Sequence, residues 1–159
     1  MISVEHKKFE EHVAKAAEKL RNTDRKETIR IISHLDADGI CSSSIVLSAL
    51  CMEGFMHHLS IVRQLSETII KELSKENYNT YIFTDLGSGQ YDLILKYLSQ
   101  KTIIILDHHS FDTAMLDNMH PSMTFVNPHA FGINGSSEIS GSGVAYLFAE
   151  ALNEKNRSL

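Results

Sequence analysis

The stretch TIRIISHLDADG, residues 28–39, decides the fold of this chain. It opens with an apolar, β-branched run and closes on polar residues, which predicts a buried strand that ends in a loop. Similar runs recur downstream, each followed by a segment of helical character. The sequence therefore predicts strands over 28–33, 58–63, 80–84, 102–106 and 123–126, and helices over 40–54, 66–75, 90–100 and 142–153.

Strand and helix alternate with short joins through residues 28–150. This pattern predicts an α/β fold with a mainly parallel five-stranded sheet, helices on both faces and right-handed crossovers. Upstream, in the segment 1–24, apolar residues recur every three to four positions among Glu and Lys, which predicts an amphipathic helix over 3–22. We expect one domain spanning residues 1–159.

The composition narrows the class of protein. Of 159 residues, 43% are hydrophobic and 22% charged, as in an ordinary globular domain. The 20 acidic and 15 basic residues leave a net charge of −5, which disfavours a broad basic surface for nucleic acid. Two cysteines, Cys41 and Cys51, indicate a reducing compartment and are interpreted as small core residues. Neither a membrane helix nor a signal peptide is recognisable, so we expect a cytoplasmic protein.

Polar clusters follow three of the five predicted strands. They are HLDADG at 34–39, DLGSG at 85–89 and DHH at 107–109. Because ligands bind beyond the carboxyl ends of the strands in such sheets, the clusters should meet at one edge. Four aspartates and three histidines gathered there repel one another and lose hydration unless cations bind. Carboxylate and imidazole ligands without cysteine favour Mn²⁺, with Mg²⁺ or Co²⁺ as alternatives.

Several of these residues also fit a purely structural role. Asp85, taken alone, fits a helix N-cap. The turn Gly141-Ser142-Gly143 can bring backbone N–H groups to a phosphate at a helix N-terminus, or it can be a simple cap with Ser140 or Ser142 as the capping residue. His129 fits a phosphate contact or a plain loop histidine. The three clusters together favour a metal site over chance.

The clusters, in this order and at these strand ends, resemble motifs I, II and III of the DHH phosphoesterase superfamily: HLDADG at 34–39, FTD at 83–85 and LDHH at 106–109. That superfamily includes RecJ exonucleases, oligoribonuclease-type enzymes and manganese inorganic pyrophosphatases. The segments NPH at 127–129 and EISGSGVAY at 138–146 resemble the RecJ-like branch, particularly archaeal RecJ-like and GINS-associated nucleases.

The resemblance implies a role for each matching residue. His34, Asp36 and Asp85 are implied to hold one metal, and Asp38, Asp85 and His108 a second, with Asp85 bridging two Mn²⁺ ions. His109 is implied to face the scissile phosphate, with Asp107 orienting a histidine or acting as an outer ligand. His129 and the turn of Gly141, Ser142 and Gly143 are implied to contact a substrate phosphate.

Members of the superfamily also carry a fourth motif aspartate and a carboxyl-terminal domain, called DHHA1, that grips the substrate. Neither is found up to Leu159. We therefore expect a fragment of a longer protein, or a reduced member, with a weakened second metal site and little or no hydrolysis by itself.

The resemblance implies a metal-dependent phosphodiesterase or exonuclease. It would hydrolyse single-stranded DNA or RNA, or short oligonucleotides, by two-metal activation of water, with replication or repair proteins as further partners and no membrane. One alternative substrate class is a small nucleotide, a cyclic dinucleotide or pyrophosphate. Another alternative is a non-catalytic replication scaffold, which is disfavoured because Asp36, Asp38, Asp85 and the triplet Asp107-His108-His109 are all present.

Overall fold

A computed structural model describes residues 3–159; the first two residues of the predicted segment 1–24 lie outside this range. Five strands form one sheet in the order β2-β1-β3-β4-β5, and every neighbouring pair is parallel. The predicted α/β class with a five-stranded parallel sheet is confirmed. The strands are β1 Thr28–His34, β2 Met56–Val62, β3 Thr80–Thr84, β4 Thr102–Leu106 and β5 Met123–Val126.

Five α-helices connect and flank the strands. They are α1 Val4–Arg21, α2 Ala37–Met52, α3 Glu67–Leu73, α4 Tyr91–Leu98 and α5 Gly141–Leu152, with 3₁₀ turns at Ser88–Gln90, Thr113–Asn118, Pro128–Phe131 and Glu154–Ser158. Helix α2 begins three residues earlier than predicted because the Asp36 side chain accepts the N–H of Gly39 and caps it. None of the helices within residues 3–159 has the length and apolar character needed to cross a membrane.

Each face of the sheet has its own apolar core. Helices α1, α2 and α5 pack on one face, where Ile29, Ile31 and Ile82 point. Helices α3 and α4 pack on the other face, which receives Ile32 and Phe83. Successive side chains of a strand point to opposite faces, so strands that are apolar throughout supply both cores.

The strand order places a crevice between β1 and β3. The chain moves outward from β1 to β2, and then returns to β3 on the other side of β1. At such a reversal the loops after the two central strands diverge to opposite faces and leave space beyond the strand ends. His34 ends β1, and Asp85 follows β3 directly.

The interpretation of Cys41 and Cys51 as core residues was wrong, because both are exposed on α2. After Asp38 this helix contains no charged residue, so its sequence has no polar stripe to mark the outward face. The buried face of α2 consists mostly of small residues: Gly39, Ser42, Ser43, Val46, Ala49 and Leu50.

Candidate metal centre

Seven predicted site residues lie at the carboxyl edge of the sheet. His34 is the last residue of β1, Asp36 and Asp38 begin α2, Asp85 follows β3, and the DHH triplet follows β4. Two overlapping groups have their ligand atoms within 4.8 Å of one another, and Asp85 belongs to both. The groups are His34 with Asp36 and Asp85, and His108 with His109 and Asp85.

The first group is oriented by the loop after β2. Nε2 of His34 contacts the carbonyl oxygen of Arg63 at 3.1 Å, which directs Nδ1 toward the carboxylates. Nδ1 lies 2.9 Å from Oδ2 of Asp36 and 3.9 Å from Oδ2 of Asp85. The short distance to Asp36 lacks hydrogen-bond geometry, and Nδ1 is buried without a hydrogen-bond partner among the described residues. The N–H of Gly39, and then the His34 side chain, hold the pKa of Asp36 below its usual value.

The second group is oriented by a carbonyl from the loop that precedes α5. Nδ1 of His108 lies 2.7 Å from the carbonyl oxygen of Gly135; metal-binding histidines commonly have such a carbonyl partner on the nitrogen that faces away from the metal. Nε2 then faces Oδ1 of Asp85 at 3.2 Å and Oδ2 of Asp38 at 3.4 Å. With no ion bound, the Asp85 carboxylate raises the pKa of His108 to about 9.

Asp85 is the most unusual residue of the site. Its side chain is 1% exposed, its φ is +58°, and neither carboxylate oxygen has a hydrogen-bond partner within residues 3–159. Burial raises its pKa, and the neighbouring carboxylates Asp38 and Asp36 raise it further. The N-cap alternative does not hold, because a cap would accept a backbone N–H. A buried carboxylate with free oxygens is costly unless a cation binds it.

Asp38 is held by the N-terminus of α5. The N–H groups of Gly141 and Ser142 donate to its two oxygens at 2.7 and 2.8 Å. Burial alone raises the pKa of Asp38, but the bonds from Ser142 and Gly141 outweigh it, and the pKa is lowered. The Gly143 N–H donates to the side chain of Ser140, which is therefore the cap residue. These amides are thus already used within the protein, and a phosphate contact for the turn stays a prediction.

The DHH triplet places a buried carboxylate behind an exposed imidazole. Oδ1 of Asp107 contacts Nδ1 of His109 at 2.8 Å, and the carboxylate is 1% exposed. Burial raises the pKa of Asp107, but hydrogen bonds from His109 and Ser88 lower it below its ordinary value. Asp107 in turn raises the pKa of His109. His109 is close enough to Asp85 and His108 to be a ligand, so both a ligand role and the predicted substrate role stay open.

A cleft of about 250 Å³ opens over this centre, between the end of β1 at His34 and the loops after β2, β3 and β4. Among its lining residues, Arg63 is the one with a permanently positive side chain. Sequence reasoning missed Arg63 because it closes a predicted strand and belongs to no polar cluster. His129 does not line this cleft; its Nε2 is buried without a partner in the described chain.

Comparison with known proteins identifies the family of the chain. A family model described as the DHH family, N-terminal domain, matches residues 28–159. An uncharacterized protein of Methanocaldococcus jannaschii, MJ0831, is 41% identical over 125 residues, covering 76% of this chain and 28% of its own length. A putative SPbeta prophage-derived single-strand DNA-specific exonuclease of Bacillus subtilis, YorK, is 26% identical over 165 residues, covering 96% of this chain and 26% of its own.

Solved structures share the fold. RecJ of Thermus thermophilus in complex with Mn²⁺ superposes with a TM-score of 0.71 at 23% identity, covering 91% of this chain and 21% of that one. CDC45 of Entamoeba histolytica gives 0.66 at 19% identity, covering 89% and 30%. The chain spans 26% to 28% of the length of these curated relatives. By its sequence match and its fold, the chain belongs to the DHH family and corresponds to the family's N-terminal domain.

Proposed function

We propose that this domain binds two divalent metal ions, preferably Mn²⁺, and hydrolyses phosphodiester bonds in single-stranded DNA or RNA. One observation carries the proposal. Asp85 places a buried carboxylate with two free oxygens between an imidazole on one side, His34, and another on the other side, His108. This is the arrangement that a carboxylate bridging two cations requires.

The donor set fits such ions. Asp36 and His34 supply an oxygen and a nitrogen on one side of Asp85, while Asp38 and His108 do so on the other. Mixed carboxylate and imidazole sites suit Mn²⁺, and Mg²⁺ or Co²⁺ are the alternatives. Two cations at this position, when bound, supply an activated water and neutralise charge on the phosphoryl oxygens.

The remaining groups of the cleft assist the substrate. The Asp107 carboxylate holds the imidazole of His109 at Nδ1, which leaves Nε2 as the nitrogen that can contact a phosphoryl oxygen. A protonated His109 donates a hydrogen bond and positive charge there, and its raised pKa favours that state. Arg63, across the same cleft, offers its guanidinium to a second phosphate of the strand.

A nucleic acid strand is favoured over a small phosphoester by two facts. YorK, the relative described as a single-strand DNA-specific exonuclease, aligns with 96% of this chain. RecJ, described as an exonuclease in its manganese-bound structure, shares the fold at a TM-score of 0.70. A cytoplasmic location and replication or repair partners belong to the same proposal. Small nucleotides, cyclic dinucleotides and pyrophosphate are the alternative substrates.

The proposal is tested with Asp85→Asn, which keeps the size of the side chain and removes its charge. Asp117→Asn, at an exposed carboxylate in the 3₁₀ turn Thr113–Asn118, is the matched control. Calorimetric titration with Mn²⁺ should show two ions bound by the wild type and by the control. Asp85→Asn should lose more affinity than the roughly 10- to 100-fold that loss of an outer partner costs.

Activity is measured in parallel on single-stranded DNA, single-stranded RNA, a cyclic dinucleotide and pyrophosphate, with Mn²⁺ present. We expect at most weak cleavage of a single strand, because the second metal site is weakened, and we expect Asp85→Asn to abolish it. Cleavage confined to pyrophosphate or to small nucleotides would assign the alternative substrate class. A wild type that binds no Mn²⁺, or binding that Asp85→Asn leaves unchanged, would contradict the proposal and favour a scaffold.

A further inference from the structure

Behind His109 lies a closed ring of hydrogen bonds. Nδ1 of His109 contacts Oδ1 of Asp107 at 2.8 Å, and the Ser88 N–H donates to the other oxygen of Asp107 at 2.9 Å. The Asn127 side-chain amide donates to Oγ of Ser88 and to the carbonyl oxygen of His109, both at 2.9 Å. The ring therefore returns to the residue from which it began.

The ring is buried everywhere except at the imidazole. Ser88, Asp107 and Asn127 are 3%, 1% and 0% exposed, whereas the His109 side chain is 55% exposed. Polar groups removed from water to this extent are stable only when their hydrogen bonds are formed. The three buried residues therefore form a rigid support behind the exposed imidazole of His109.

Asn127 uses its whole amide in this arrangement. Its nitrogen makes the two bonds of the ring, while Oδ1 accepts the N–H of His129 at 3.0 Å and caps the 3₁₀ turn Pro128–Phe131. An aspartate at this position offers no donor for Ser88 or His109, and an alanine offers neither donor nor acceptor. The position that follows β5 therefore requires a side chain that both donates and accepts hydrogen bonds, as an amide does.

The ring also fixes which nitrogen of His109 carries hydrogen in the neutral imidazole. The two oxygens of Asp107 accept the backbone N–H groups of His108 and Ser88, so this carboxylate acts as an acceptor and Nδ1 of His109 is the donor. Nε2 is then directed away from Asp107, toward the cleft that His109 lines together with Asp85.

We propose that Ser88 and Asn127 are positioning residues, which keep Nδ1–H of His109 on Asp107 in both the neutral and the protonated imidazole, so that Nε2 faces the substrate. This inference rests on the proposed function, in which His109 contacts the phosphoryl group. Ser88 and Asn127 act through His109 and Asp107 and do not touch the substrate themselves.

The variants for the test are Asn127→Ala and Ser88→Ala. Ser88→Ala removes one oxygen atom and leaves its backbone N–H, so it should fold if Asn127→Ala does not. The matched control is Asn156→Ala: Asn156 is also 0% exposed and donates to a backbone carbonyl, that of Ala149, at 2.8 Å. It lies past the C-terminal end of α5, a helix about 18 Å long whose other end meets Asp38.

The first measurement is the imidazole ¹⁵N spectrum of His109 in the full chain loaded with Mg²⁺, at a pH high enough for the imidazole to be neutral. We expect one tautomer, Nδ1–H, in the wild type and in Asn156→Ala, and a mixture of tautomers in Asn127→Ala and Ser88→Ala. Loss of stability alone does not produce this change, so a merely structural role of Asn127 would leave the spectrum as in the wild type and overturn the inference.

The second measurement is hydrolysis of thymidine 5′-(p-nitrophenyl phosphate) at saturating Mn²⁺. Asn127→Ala should lower kcat by about 10- to 100-fold with little change in KM, because a misplaced general acid affects the reacting complex most. An equal fall in Asn156→Ala would overturn the inference. If the wild type binds no Mn²⁺, the proposed function fails, while the tautomer spectra still decide whether the ring positions His109.

Discussion

The effect of Gly141→Ala follows most directly from the geometry of the metal centre. Gly141 is the first residue of α5, and a Cβ there would lie 2.5 Å from Oδ1 of Asp85 and 3.1 Å from Oδ2 of Asp38. Ordinary van der Waals contact for a Cβ begins at 3.4 Å, so about 0.9 Å of additional space is needed. Asp85 cannot withdraw, because its short side chain is 1% exposed.

Helix α5 must therefore retreat, and its bonds to Asp38 are lost. The N–H groups of Gly141 and Ser142 lie 2.7 and 2.8 Å from that carboxylate, and a shift of about 0.9 Å takes them out of hydrogen-bond range. Each hydrogen bond to a charged group contributes about 1.5–3 kcal/mol to stability, and the higher helix propensity of alanine offsets at most about 1 kcal/mol of the loss. We expect a net destabilisation of about 2–5 kcal/mol, a fall in Tm of about 4–20 °C.

The same displacement should weaken Mn²⁺ binding by about 10- to 100-fold, because Asp38 and Asp85 lose their relative placement. Thermal unfolding and Mn²⁺ calorimetry measure the two effects. The control is Gly89→Ala in the same cleft, where a Cβ has no neighbour within 4 Å and both quantities should remain near wild type. A Gly141→Ala protein with the Tm and Mn²⁺ affinity of the wild type would refute this placement of Asp85 against α5.

Three further predictions concern single charged or ionisable side chains. Since the pKa of His108 is about 9 without metal and binding requires a neutral imidazole, Mn²⁺ affinity should rise about tenfold per pH unit up to that value and then level off. Calorimetry in buffers of different ionisation enthalpy checks this, and an affinity that is constant between about pH 7 and 9 contradicts it. Arg63→Ala should leave the Mn²⁺ affinity unchanged and reduce by about 0.7 the slope of log affinity for a single strand against log salt concentration. Fluorescence anisotropy measures the strand affinity, and an unchanged slope excludes a phosphate contact of Arg63. Arg30→Met should lower the free energy of unfolding in urea by about 3 kcal/mol without affecting the metal site, because the buried guanidinium contacts Glu76 at 2.6 Å. A decrease of under about 1 kcal/mol would show that this ion pair is unimportant.

Most strands were readable from the sequence, whereas β2, one of the two edge strands, was less so. The predicted ranges 80–84, 102–106 and 123–126 coincide with β3, β4 and β5, because strands covered by helices on at least one face need β-branched, apolar runs. Strand β2 begins at Met56, two residues before the prediction, since an edge strand that is half exposed has no need of such a run. The caps of α2 and α5 were set by Asp36 and Ser140, residues with a strong local preference for that position.

The sequence by itself determined the class of fold and the group of side chains that meet at the sheet edge. Parallel strands must end at the same edge, so polar residues that follow each strand are brought together whatever the order of the strands. The strand order, and with it the crevice between β1 and β3, was decided by the tertiary structure. So were the groups that orient the site, such as the Gly135 carbonyl at His108 and the Gly141 amide at Asp38. Every residue but proline has both a carbonyl and an N–H, so nothing in the sequence distinguishes the few that packing turns toward the metal centre.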